Sequence, residues 1–483
     1  MTYTIPFLHD YVFPNLVLPN AIINELGIIN YIHTMYTNRI QKNSFFDFGS
    51  QENFLNGSSF GNLSKVFDYE LGNFPNSQGY ETHLHSGAYR HILNGVEESV
   101  YFGKKMYPKY IYPILVSPHF DEFTGVNVQN YPKLNGEYFW KHISAEVLDD
   151  ARKGTAIILL DFGQENYVEK ESYHRLHECL RYSRIPKENI ILAFNSFNSK
   201  QIYEMWFPEE ERRLEVHNWP GVVANTSFHF NSMIEHKDPS CVLEQDFIES
   251  RNTPRPNKFL FKIRRPRGHR MALLFYMASE NLLDLGDWSC LSPLDYRQNE
   301  IDYMRNYYDL YMDESVVKTL YDKIPHNLQV EPLSNFTNVS AWNDTTSVSY
   351  LNTYFYICSE TFTQVHGDYK SITEKVFKPM VNYLPFVFVA YPGALQLLRN
   401  LGFKTFHPFI DESYDTELNE SKRLNMLGKE IKRICSMSKE ELHVWYWSME
   451  SILRHNRSHT QSWYKNDVVS LEFIKYLHTR VST

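Results

Sequence analysis

The chain predicts an α/β protein: two parallel-sheet domains facing a cleft, with an extended N-terminal region and C-terminal helices. Three observations carry that expectation. Two apolar runs, Thr155 to Asp161 (TAIILLD) and Asn189 to Phe194 (NIILAF), flank an amphipathic helical pattern from Glu171 to Arg184. A second series opens at Lys258 to Ile263 (KFLFKI) and continues in runs at 354 to 358 and 385 to 390, again separated by helical patterns. The runs of the first unit are continuous apolar stretches instead of alternating ones, as strands are when helices cover both faces of a parallel sheet.

Residues 1 to about 150 are irregular and rich in Asn, Tyr, His and Pro, with Tyr110 to Val116 as a candidate strand. Residues 151–250 then form the sheet-bearing part of a first domain, 1–250. The stretch Asp246 to Asn257 (DFIESRNTPRPN) lacks periodicity and contains Thr-Pro-Arg-Pro, so it reads as a linker. A second domain follows over 257–440. Its first helix is Gly268 to Leu283, a short one is Gly393 to Leu401, and long helical patterns cover about 418 to 436 and 438 to 456. Residues 441–483 are assigned to C-terminal helices. Solenoid-period repeats and low-complexity tracts are absent from the sequence.

With 483 residues, 43% of them hydrophobic, the chain is long enough for two real cores. Aromatic content is high (Tyr 34, Phe 33, Trp 8) and glycine sparse, at 20. Most of those rings must be core. A net charge of −9 argues against a nucleic-acid acceptor, which selects a basic footprint. Five cysteines, far apart and without a CxxC pattern, read as thiols in a reducing compartment. With neither a secretory signal nor a membrane-length apolar stretch in view, the expectation is a soluble, cytoplasmic protein without a membrane partner.

The most informative segment is 351–392. An apolar run stops at Glu360, a polar loop leads to Ser371-Ile372-Thr373-Glu374-Lys375, and a second apolar run closes on Pro392-Gly393. In a strand–helix–strand unit the site lies where the strand's carboxyl end meets the helix's amino end. Ser371-x-x-Glu374 has the form of a capping box, which alone explains both residues. Lys375 is different, because a cation in a first turn opposes the helix dipole yet reinforces an anion bound there. A second anion-friendly feature is Arg264-Arg265-Pro266-Arg267-Gly268-His269-Arg270, between a strand and a helix. Guanidinium forks suit phosphate oxygens; the alternative is a solvated basic loop. Glycine fingerprints of dinucleotide and P-loop sites are missing.

The segment resembles the donor-binding signature of the α1,3-fucosyltransferase family. The strand ends Ser359-Glu360-Thr361 where that family has a Phe-Glu-Asn-like triplet, and the motif stands as Ser371-Ile372-Thr373-Glu374-Lys375, with serine in place of the family's tyrosine. Phe377 to Met380 and Leu401 to Asp415 are also similar to glycosyltransferase-like proteins of phages and large viruses. The resemblance implies two Rossmann-like domains of the GT-B type, with a C-terminal helix crossing back to the first. It implies a nucleoside-diphosphate sugar as donor substrate, held by Arg267, Arg270, Glu360, Glu374 and Lys375, and transfer with inversion. Glu374 would take the ribose and Lys375 the pyrophosphate. Without an Asp-x-Asp pair to hold a metal, arginine and lysine would carry the neutralising charge, so neither metal nor cofactor is expected.

Inversion needs one general base, expected in the first domain: Glu165, then Asp161, in the stretch Asp161-Phe162-Gly163-Gln164-Glu165. The acceptor, whether glycan, protein or modified base, is left open. Two other readings of the chain are a viral structural or binding protein of this fold without activity, in host cytoplasm, and a DNA-base glycosyltransferase. His83, His85 and His91 read as ordinary polar residues more readily than as metal ligands. Asp411-Glu412-Ser413-Tyr414-Asp415 either rims the donor site or is a plain charged turn. Trp445-Tyr446-Trp447 is not a sugar platform, because adjacent helical residues point about 100° apart.

Overall fold

In the computed structural model the described residues are 3–4, 7–9, 96–97, 100–102, 109–115, 145–162, 170–194, 196–209, 213–218, 230–231, 233–235, 237–238, 241–264, 266–291, 298–324, 326, 347–361, 363, 369–463 and 468–482. In chain order the first set of elements is β1 (Tyr3–Thr4), β2 (Phe7–His9), β3 (Val96–Glu97), β4 (Val100–Phe102), β5 (Tyr110–Leu115), α1 (Ala145–Lys153), β6 (Ala156–Phe162), α2 (Lys170–Ser183), β7 (Ile190–Phe194), α3 (Ser199–Trp206) and β8 (Glu215–Asn218). Six of these strands form one sheet in the order β4-β2-β5-β6-β7-β8, every pair parallel. The reason lies in the residues: Ile190 to Phe194 are all buried, and an unbroken run of large apolar side chains needs cover on both faces.

The second set is α4 (Glu244–Glu249), β9 (Asn257–Ile263), α5 (Gly268–Ser279), β10 (Asp287–Cys290), α6 (Gln298–Tyr307), α7 (Glu314–Tyr321), α8 (Ser347–Leu351), β11 (Thr353–Ser359), α9 (Glu374–Val381), β12 (Phe386–Val389), α10 (Ala394–Asn400), α11 (Glu420–Ser436), α12 (Lys439–Trp447), α13 (Glu450–Trp463) and α14 (Val468–Ser482). Its sheet runs β10-β9-β11-β12, again wholly parallel. The protein is therefore α/β, and its described residues form two main parallel sheets and a small parallel pair, β1-β3. β11 is buried at every position and lies between β9 and β12, so its carboxyl end sits at the centre of the sheet edge.

Two readings need correction. The stretch 246–257 is not an unstructured connection: α4 occupies its start, and Arg255 is buried against the second sheet unit. That guanidinium donates to the carbonyls of Tyr350 (3.0 Å) and Thr353 (2.5 Å) and to the Tyr446 hydroxyl (2.7 Å), and lies 4.0 Å from the Tyr446 ring centroid. The prolines hide the segment's order because it is held by long-range bonds, not by periodicity. The pattern at 438–456 likewise breaks into α12 and α13 around Ser448-Met449. Trp445, Tyr446 and Trp447 face separate partners: Trp445 donates to the Phe409 carbonyl (3.0 Å), Tyr446 to that of Tyr383 (2.6 Å), and Arg251 covers Trp447 at 4.4 Å.

Among the described residues, two sets of contacts join the first sheet unit to later parts of the chain. Helix α14 lays Phe473 and Tyr476 on His217 of β8, with ring centroids 4.9 and 4.2 Å away. The second connection is closer to the chemistry. The turn after β7 meets the segment that enters α9: Phe197 N–H donates to the Lys370 carbonyl (2.8 Å), and Lys370 N–H donates to Asn198 Oδ1 (2.6 Å). The carboxyl edges of β7 and β11 are thus on the same side of the molecule.

A candidate anion site at the edge of the second sheet

Glu360 follows the last residue of β11 and is only 3% exposed. Its carboxylate accepts from Thr373 N–H (3.0 Å), the Thr373 hydroxyl (2.7 Å) and Thr361 N–H (3.3 Å). It therefore ties the strand's end to the start of α9. That start corrects the sequence reading: the N-cap is Thr373, whose hydroxyl accepts from Lys375 N–H at 3.5 Å, and Glu374 is the first helical residue. The Ser371–Glu374 capping box does not form. Ile372 is buried in the core between the two eligible caps, Thr373 is in extended backbone, and the helix begins after it.

Glu374 is thereby released from capping and pairs with its neighbour. Lys375 Nζ lies 3.3 Å from Glu374 Oε1 and 3.7 Å from Glu360 Oε2, and donates to the Thr373 hydroxyl at 2.9 Å. Burial works against both charges. For Lys375, Glu374 and Glu360 outweigh that effect and raise its pKa; for Glu374, Lys375 and then Lys378 lower it. Yet 27% of the Lys375 side chain stays exposed, so part of it reaches the protein surface.

Across the edge, β9 leads into α5. Arg267 holds the N-cap position in extended backbone (φ −130°, ψ 150°), no side chain caps the helix, and its first turn has no acidic residue. Such a helix start carries a positive partial charge with arginines added to it. Arg270 is buried and acts as a brace: its guanidinium donates to the carbonyls of Glu360 (2.8 Å) and Ser359 (3.2 Å) and to the Ser359 hydroxyl (3.4 Å). Burial, then Arg267, opposes its charge, and Glu360 favours it. Arg267 is the partly exposed member of the pair. His269 stands between them, its ring 3.1 Å from the Glu360 carbonyl; burial and the adjacent Arg270 push its pKa down to about 3, so it is neutral.

The next helix start is already filled. Asp415 accepts from Leu395 N–H (2.9 Å) and Gln396 N–H (3.0 Å) of α10, and Arg399 lies 3.6 Å from it. Glu412 accepts from Phe406 N–H (2.5 Å) and the Thr405 hydroxyl (2.8 Å). The acidic turn 411–415 is thus a structural clamp on α10. Beside it, the buried Tyr391 hydroxyl makes no hydrogen bond of ordinary geometry; burial, Glu360 and Asp415 raise its pKa, against a weaker lowering from the Ser371 amide.

The sequence-derived candidates divide accordingly. Arg267, Arg270, Glu360, Glu374 and Lys375 converge on one sheet edge. Asp161 is one residue from the end of β6, its backbone paired with Leu115 and Ala193. Glu165, Arg265, His83, His85 and His91 lie outside the described residues. Among the described residues no group of three or more His, Cys, Asp or Glu could hold a metal, and no helix is long and apolar enough to cross a membrane. Thr373, His269 and Asn198 escaped sequence reasoning. Thr373 alone carried a visible signal, as a second eligible cap directly before Glu374.

No protein-family model matches the chain, and no curated protein matches it. Among solved structures it is similar to the Candida albicans trehalose-6-phosphate phosphatase N-terminal domain, at 10% identity over 77% of this chain and 72% of that one, with a TM-score of 0.33. A likeness at that score carries no argument about function. The site has to speak through its own chemistry: three cations around two carboxylates at the carboxyl edge of a parallel sheet.

Proposed function

We propose that the protein is a metal-independent, inverting glycosyltransferase with two Rossmann-like domains of the GT-B type, similar to the α1,3-fucosyltransferases. The single observation that carries this reading is that Arg267 stands at one helix start and the Glu374–Lys375 pair at the next, on one sheet edge. A nucleoside diphosphate needs both kinds of group, cations for its phosphates and a carboxylate for ribose hydroxyls. Arg267 and Lys375 would neutralise the leaving diphosphate as the bond between the anomeric carbon and phosphate oxygen breaks. Glu374 would accept from the ribose, and Arg270 and Glu360 would keep the two helix starts in register.

The acceptor hydroxyl would approach from the first sheet unit, whose carboxyl edge is held near this site by the Asn198–Lys370 contact. A carboxylate of that unit, Glu165 or Asp161, would take its proton as the new glycosidic bond forms on the opposite face of the sugar. The test is a thermal-shift screen against GDP, UDP, ADP, CDP and their sugars. At least one nucleotide raises the melting temperature by a few degrees if the reading is right; no shift with any of them would sink it.

A further inference from the structure

We propose that Asn198, in the first sheet unit, is a positioning residue for the donor-binding helix α9; this rests on the nucleotide-sugar reading above. Asn198 occupies the N-cap position of α3, where an asparagine ordinarily accepts from an amide two or three residues on. It does not do so here. The side chain of Asn218, from β8, accepts from Lys200 N–H at 2.9 Å in its place. Asn198 Oδ1 is directed instead to Lys370 N–H (2.6 Å) and accepts from the Ser196 hydroxyl (3.0 Å). Ser196 and Phe197 also engage the Lys370 carbonyl, at 3.2 and 2.8 Å. Both backbone groups of one residue are thus gripped by three consecutive residues of the other unit.

The neighbours of Lys370 show what that grip controls. Tyr369 is buried against the first unit, 6.1 Å from the Trp206 ring, and acts electrostatically on the Tyr173 hydroxyl. Ile372 is buried in the core of the second unit, and Thr373 binds Glu360. Five residues therefore pass from one core to the other and end at Glu374 and Lys375. A segment fixed at both ends transmits a shift at Asn198 to the cap of α9, three residues from Lys370. The anchor makes the donor site dependent on how the two units sit together.

The experiment compares full-length wild type with Asn198→Ala, Asn198→Asp and Ser196→Ala. It measures calorimetric binding of the best nucleoside diphosphate from the screen, thermal melting, and amide hydrogen exchange at Lys370. Asn198→Ala should weaken nucleotide binding about 10-fold and speed exchange at Lys370 by a similar factor, the upper end of what one lost hydrogen bond is worth. Asn198→Asp, which keeps an acceptor oxygen, should stay within about 3-fold of wild type. Ser196→Ala should fall between them, and serves if Asn198→Ala does not fold. Normal nucleotide affinity despite faster exchange at Lys370 would overturn the positioning role, as would unchanged exchange. Wild type that binds no nucleotide would instead defeat the glycosyltransferase reading itself, while the exchange data would still report the anchor.

Discussion

Two helices begin side by side at the same edge of the second sheet, and their starts are built in opposite ways. The start of α10 is filled by the chain's own anion: Asp415 takes two of its amides and is itself held by Arg399. The start of α9 is capped by a neutral threonine tied to the Glu360 carboxylate, and beside that cap the chain leaves the ammonium of Lys375, whose side chain is partly exposed. The first arrangement stabilises the fold and leaves nothing for a ligand. In the second, a cation stands where the helix dipole disfavours it, held by Glu374 and Glu360, which is a cost that an incoming diphosphate would relieve. An anion-binding site is distinguished from a helix start by which charge the chain leaves there.

Substitutions at the two starts should therefore separate stability from binding. The largest effect is expected for Asp415→Ala, which strips α10 of a buried carboxylate with two amide bonds; denaturant unfolding should show a loss of about 3 kcal/mol, with nucleotide affinity unchanged in the folded fraction. Lys375→Ala should do the reverse. It should weaken nucleoside diphosphate binding about 30-fold, near 2 kcal/mol, and change stability by less than about 1 kcal/mol. Glu360 keeps its three Thr373 and Thr361 bonds in that variant, so the edge survives.

A third prediction concerns pH. Neutral His269 is buried in the folded chain with its pKa held down to about 3, against 6.5 ordinarily. Between those values the unfolded chain binds the proton and the folded chain does not, so stability falls as pH drops through that window, by at most about 1.4 kcal/mol per unit. His269→Gln should flatten that slope in urea titrations from pH 6.5 to 4; an unchanged slope would place the sensitivity elsewhere. The smallest effect is expected at Arg267, which is partly exposed and screened. Arg267→Ala should weaken nucleotide binding about 5-fold at low salt and less at high salt, with stability unaffected.

The same contrast explains what the sequence revealed. Strands such as 190–194 and 354–358 were legible because they are unbroken runs of apolar and aromatic side chains, all buried, so composition alone marks them. The convergence of Glu360 with Lys375 was legible too, since parallel topology brings strand ends and helix starts to one edge. The cap of α9 was not. Ser371 and Thr373 are both eligible, and the one used is the one that Glu360 binds, a tertiary fact. The burial of Arg255 and the bond from Asn198 to Lys370 were equally hidden, because each joins residues far apart in the chain. Arg270 shows the limit in another way: its charge suggested phosphate, and its geometry shows a brace for the Ser359 and Glu360 carbonyls.

The most direct test of the central claim is a calorimetric titration of wild type and Lys375→Ala with the same nucleoside diphosphate, without added metal. Wild type should bind measurably, and the variant about 30-fold more weakly with the same melting temperature. Equal affinity in the two proteins would contradict the claim, and would remove Lys375 and its helix start from the site.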